Sequence, residues 1–179
     1  MALIYIVIIG LSLNMFSTTL LLNIENCFNE KENFFSIMIL AIGQGIMFYI
    51  GWLIGQGLEG MLVSYSKIIS FILFALIGIK MIMESFNRKY KGKVFKLDTK
   101  NAIAFLSLGK GINALIIGIA FLSLNHSGFN TALLLIGISI ILALFGIQAG
   151  KKSARYSLGN LAELIGGLLI LGSGFTVLI

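Results

Sequence analysis

The chain has 179 residues, of which 58% are hydrophobic and only 11% charged, with 21 Gly, no Pro and a mean hydropathy of +1.02. A soluble domain carries about 25% charged residues. This composition has too little polar side chain to coat a water-facing globule, so a soluble enzyme, a nucleic-acid module and a secreted disulfide scaffold are all poor readings. The formal net charge of +6 fits basic residues gathered in the cytoplasmic loops of a membrane protein.

A bilayer core about 30 Å thick needs roughly 20 mostly apolar helical residues, and six segments qualify. The first, 2–22, has no basic stretch before it and no small-residue cleavage site after it, so it reads as a retained span. Its centre is Gly10-Leu-Ser-Leu-Asn14. The short connection that follows contains Cys27, the single cysteine, which cannot form an internal disulfide. The second span, 34–54, carries Gln44 and Gly51-x-x-x-Gly55. The third, 66–86, ends with Lys80 and Glu84, spaced i, i+4 and read as interfacial anchors. A basic loop, 87–101, holds Arg88, Lys89, Lys91, Lys93, Lys96 and Lys100. The fourth span, 102–124, contains Gly109-Lys110-Gly-Ile-Asn113, and the lone His126 follows in a loop as a structural or neutral residue. The fifth, 130–149, leads into Gly146-x-x-x-Gly150, and the sixth, 158–179, contains Glu163. Continuous apolarity lacks the alternation of barrel strands, and in lipid runs of this length satisfy their own backbone groups only as helices. The expected fold is all-α, a single transmembrane domain of six helices.

Orientation follows from the basic residues. Ten of the 13 fall in the loops joining spans 1–2, 3–4 and 5–6, namely Lys31, the six of the long loop, and Lys151, Lys152 and Arg155. Those loops are therefore expected in the cytoplasm and both termini outside. Tyr5, Tyr49, Trp52 and Tyr65 then fall near the outer face, as an aromatic belt.

Spans 1 and 4 share G-x-x-x-N, and spans 2 and 5 share G-x-x-x-G. Three spans per half place the second half upside down relative to the first. The expectation is an inverted repeat, with repeat one about 2–86 and repeat two about 102–179, a layout common among secondary transporters. Gly51, Gly55, Gly146 and Gly150 also suit plain close packing of helices. By the helical rise, Asn14 lies about 18 Å from the outer end of its span, and Gln44 and Asn113 about 15–16 Å from the inner ends of theirs. Three amides near the bilayer centre each cost energy unless matched. They either line one site or act as interhelical hydrogen bonds worth about 0.6–2 kcal/mol each. Lys110 lies about 12 Å into span 4, on the face of Asn113 at i, i+3. An ionisable group at that depth marks function by default. It pairs with Glu163, snorkels to the cytoplasmic interface, or contacts cargo directly.

GLSLNMF in span 1, GQGIMFYIGWLIG in span 2, IGIKMIMESF ending span 3, INALIIGIAFL in span 4 and LAELIGG opening span 6 resemble the MntP-type manganese efflux pumps of the LysE-like transporter superfamily. The related YtaF-type sporulation membrane proteins are also similar. The resemblance implies a multi-pass protein of a bacterial-type cell membrane that moves Mn²⁺, with no cofactor, and a metal site at Asn14, Gln44, Asn113 and Glu163. It also exposes departures, because the family pattern has Asp at the positions of Asn14 and Asn113 and often Glu at that of Gln44. Only Glu163 keeps its acid. Mn²⁺ favours oxygen ligands, and an amide offers a carbonyl oxygen without the charge.

Three readings of function follow. The first is a manganese-type cation exporter. The second is a transporter of the same fold for a neutral or anionic solute, suggested by the missing acids and by Lys110. The third is a non-transporting scaffold. The expected partners are the lipid bilayer and a small inorganic ion or solute, with no nucleic acid. An enzyme is not expected: no Asp lies in any span for aspartyl chemistry, and the only His, in a loop, offers no buried base.

Overall fold

A segment immersed in lipid must close its own backbone hydrogen bonds, and each long apolar run of this chain does so as an α-helix. The structure, a computed structural model, describes residues 2–24, 30–62, 65–86, 99–121, 127–152 and 156–178, with side chains for 2–20, 34–58, 65–86, 107–121, 127–150 and 157–178. The helices are α1 (Ala2–Ile24), α2 (Glu30–Leu62), α3 (Ser66–Phe86), α4 (Thr99–Ala120), α5 (Gly128–Lys152) and α6 (Tyr156–Leu178). Five are long and apolar enough to cross a bilayer, and the described apolar stretch of α4 is the shorter Ser107–Ala120. Cys27, the basic loop over 87–98, His126 and Arg155 lie outside the described residues, as do the side chains of Lys31, Lys100, Lys151 and Lys152.

Several boundaries differ from those read in the sequence. Helix α2 extends past both ends of 34–54, and α4 starts at Thr99, inside the expected basic loop, and ends at Ala120, short of 124. The physical reason is that apolarity measures only the stretch in hydrocarbon. The i→i−4 ladder continues through polar residues such as Glu30 and Thr99 wherever nothing breaks it.

Most exposed side chains around the bundle are apolar, among them Ile46, Ile72, Leu76, Leu133, Phe145 and Leu168. The interior holds Phe48, Phe74 and Phe121 but also Asn14, Gln44, Asn113 and Glu163. Apolar outside and polar groups within is the pattern of a multi-pass membrane protein, since lipid tails solvate apolar side chains as well as a core does.

Helix α1 packs on α5 and α6, α2 on α4 and α5, and α3 on α4 and α6. These contacts close a ring in the order α1-α5-α2-α4-α3-α6, with α1 and α4 on opposite sides. Every extensive contact joins a helix of 2–86 to a helix of 99–178. Glycine permits this closeness. A Cβ on Gly51 of α2 would overlap the Leu115 carbonyl of α4, and one on Gly118 would overlap the Phe48 carbonyl, so these two helices touch backbone to backbone. Helix α6 meets α1 and α3 in the same manner, through Gly166 against Gly10 and Gly167 against Gly78. Gly55 lies close to the Ile119 carbonyl, Gly146 faces Thr19 and Phe16 of α1, and Gly150 is buried.

Candidate ion site inside the bundle

The two G-x-x-x-N helices, α1 and α4, face each other across the ring, and their amides are 2% and 1% exposed at Asn14 and Asn113. Lys110, one turn before Asn113, reaches across from α4 and donates a hydrogen bond from Nζ to Asn14 Oδ1. The same ammonium lies 3.5 Å from Glu163 Oε1 on α6 and 3.9 Å from Glu84 Oε2 on α3. Lys80 Nζ, also on α3, donates to Asn113 Oδ1 at 2.6 Å and lies 3.8 Å from Glu84 Oε1. The contacts run Asn14, Lys110, Glu84, Lys80, Asn113, with Glu163 branching from Lys110.

Burial ranks these contacts. The Glu163 side chain is 1% exposed and that of Lys110 16%, against 37% for Glu84 and 40% for Lys80. At 3.5 Å and an effective dielectric of about 20, the Lys110–Glu163 attraction is about 5 kcal/mol before desolvation is subtracted. The half-exposed Glu84 contributes about 1 kcal/mol or less to each lysine. The buried pair therefore organises the cluster, and Glu84 bridges the two ammonium groups at its edge.

Gln44 stands elsewhere. Its Nε2 donates to the Leu11 carbonyl of α1 at 3.4 Å, and its Oε1 is buried with no hydrogen-bond partner among the described residues. Ser12 and Ser139 share a hydrogen bond of 3.1 Å between α1 and α5. Gln44, on α2, thus belongs with α5 on one side of the α1–α4 diagonal, while Lys80, Glu84 and Glu163, on α3 and α6, lie on the other. No hydrogen bond joins the three amides to one another among the described residues. Among the described residues, Asn14 and Asn113 are linked through Lys110, Glu84 and Lys80.

Lys80 and Glu84, read in the sequence as interfacial anchors, belong to the cluster. The signal that marks Lys110, a charge inside an apolar run, also marks Lys80 within 66–86. Trp52, read in the sequence as an aromatic belt residue, is partly buried. Its ring covers Gly128 at the start of α5, where a Cβ would overlap it, and stacks on Tyr49 with centroids 5.8 Å apart.

The oxygen donors present are two carboxylates and two amide carbonyls, and among the described residues no three His, Cys, Asp or Glu side chains converge. Oxygen-only donors suit a hard cation such as Mn²⁺ or Mg²⁺.

Residues 27–178 match the family model described as "Putative manganese efflux pump". A protein of that description from Maridesulfovibrio salexigens is 32% identical over 97% of both chains. Another from Bacteroides thetaiotaomicron is 31% identical over 80% of this chain and 78% of its own. A third, from Aliarcobacter butzleri, is 28% identical over 95% of this chain and 94% of its own. No solved structure matches the chain.

Proposed function

The chain belongs to the family of manganese efflux pumps, and from that premise we propose that it exports Mn²⁺ across a bacterial-type cell membrane through the polar line between α1 and α4. The observation that carries this reading is the line itself: Asn14, Lys110, Glu84, Lys80, Asn113 and Glu163 in contact, running from the buried Asn14, Asn113 and Glu163 out to the half-exposed Lys80 and Glu84. Charged groups at such depth are expensive and mark ion routes. Glu163 and Glu84 supply charge to the cargo, and Asn14 and Asn113 supply carbonyl oxygens. Gln44, whose Oε1 has no hydrogen-bond partner among the described residues, is a separate polar stop on the far side of α1.

The architecture proposed is six spans in two inverted three-helix repeats. Exchanging α1, α2 and α3 with α4, α5 and α6 maps the ring order onto itself, which supports that symmetry. The basic connections then face the cytoplasm, the termini face outside, and the cluster lies in the cytoplasmic half. The protein is a transporter and not an enzyme.

A second reading has a specific observation in its favour. The amide oxygens of Asn14 and Asn113 already accept from ammonium groups, an environment that also suits a neutral or anionic solute. Expression in a manganese-sensitive host lacking its own exporter separates the two. Export of Mn²⁺ raises manganese tolerance and lowers cell manganese. No change, with membrane insertion verified, refutes the cation reading.

A further inference from the structure

The amide oxygens of Asn14 and Asn113 are not vacant. The Lys110 ammonium is surrounded by Asn14 Oδ1, Glu163 Oε1 at 3.5 Å and Glu84 Oε2 at 3.9 Å. The Lys80 ammonium is held by Asn113 Oδ1 at 2.6 Å and Glu84 Oε1 at 3.8 Å. Each is coordinated as a free cation would be, by carboxylate and carbonyl oxygens. We infer that Lys110 and Lys80 are tethered cations that fill the cargo seats of the resting transporter, and that a cargo ion binds by displacing them. This rests on the transport reading and adds to it the device that fills and empties the site.

The charge arithmetic favours displacement over addition. With both lysines in place, two ammonium groups balance two carboxylates. A divalent ion added to that cluster would leave it at +2 in a low-dielectric interior, where uncompensated charge is costly. With both lysines withdrawn, the two carboxylates carry −2, which matches one divalent cation. Withdrawal is feasible because lysine stems are long and flexible and their heads move toward an interface. Lys80 is near the end of α3, with 40% of its side chain already exposed. The amides at 14 and 113 serve the same end. A carboxylate there would add a full ion-pair attraction to the hydrogen bond that each ammonium already makes, and the seat would be harder to vacate.

The test uses the full chain purified in detergent, with Mn²⁺ binding read from the resonance of the free ion. Lys110→Cys and Lys80→Cys are made separately in a Cys27→Ser background. Each should bind Mn²⁺ about tenfold or more tightly than the parent, since one nearby positive charge is removed. Labelling the new thiol with aminoethyl methanethiosulfonate restores an ammonium and should return weak binding. The uncharged ethyl reagent, of similar bulk, should not. Should Lys110→Cys fail to fold, Lys80→Cys, at the more exposed position, decides alone. Unchanged affinity in the folded variants, or equal weakening by both reagents, overturns the inference. Manganese export by the parent in vesicles is measured alongside. Export without tighter binding in the variants defeats the tethered-cation idea and leaves the transport reading standing. Tighter binding without export by the parent does the reverse.

Discussion

Lys110→Met tests the buried ion pair directly. In the native bundle Lys110 Nζ lies 3.5 Å from Glu163 Oε1, and the Glu163 side chain is 1% exposed. Removing the ammonium leaves a carboxyl in an interior with little water, where it remains charged at high cost or takes up a proton. Breaking a buried pair from one side costs about 3–5 kcal/mol, and protonation of Glu163 relieves part of that. Lys110 also loses its contacts with Asn14 and with the half-exposed Glu84, the latter worth about 1 kcal/mol or less. The expected net loss is about 2–4 kcal/mol. The double variant Lys110→Met/Glu163→Gln removes both charges and should recover more than half of it, because the uncompensated charge is then gone. Reversible unfolding in mixed micelles, followed by circular dichroism, supplies all the free energies of the cycle. A neutral or stabilising Lys110→Met, or a double variant no better than the single, would refute the argument and mean that the ammonium resides at the cytoplasmic interface.

Three further outcomes are expected. Asn14→Asp converts a neutral acceptor for Lys110 into a charged one and should stabilise the fold by about 1 kcal/mol. It should raise Mn²⁺ affinity only when combined with Lys110→Met, and a large gain from Asn14→Asp alone would contradict the occupied seat. Gly51→Ala places a methyl on the Leu115 carbonyl and should cost about 1–3 kcal/mol in the same unfolding assay, whereas Gly172→Ala, with nothing within 4 Å of the added carbon, should stay within about 1 kcal/mol of the parent. Gln44→Met exchanges one long hydrogen bond and one unpartnered oxygen for apolar packing, so stability should change by less than about 1.5 kcal/mol; efflux that falls in this stable variant would place Gln44 on the ion route.

The helices were legible because hydrocarbon leaves a long apolar run one way to satisfy its backbone. Their ends were less so, since the ladder of α2 and α4 continues through polar residues that hydropathy counts as loop. Lys110 and Glu163 lay within reach of sequence reasoning, both being charges inside apolar runs. The partners of Lys80 and Glu84 are hidden in the sequence, because i, i+4 spacing shows that two residues share a face but not which helix that face meets. The separation of Gln44 from Asn14 and Asn113 was equally hidden. Depth along a helix follows from counting residues, but azimuth around the ring depends on contacts such as Gly118 on Phe48 and Gly166 on Gly10, which join segments far apart in the chain.

The interleaving of the two halves has a consequence for biogenesis. Helices α1, α2 and α3 leave the ribosome first, yet hardly any of their partners are among themselves. At about 5–20 residues per second, the remainder of the chain takes roughly 5–20 s to appear. Until α4 and α5 enter the bilayer, the faces of α1 and α2 that carry Gly10, Gly51, Asn14 and Gln44 have only lipid or the insertion machinery for company. The ring closes only when the last strut, α6, slides between the first helix and the third.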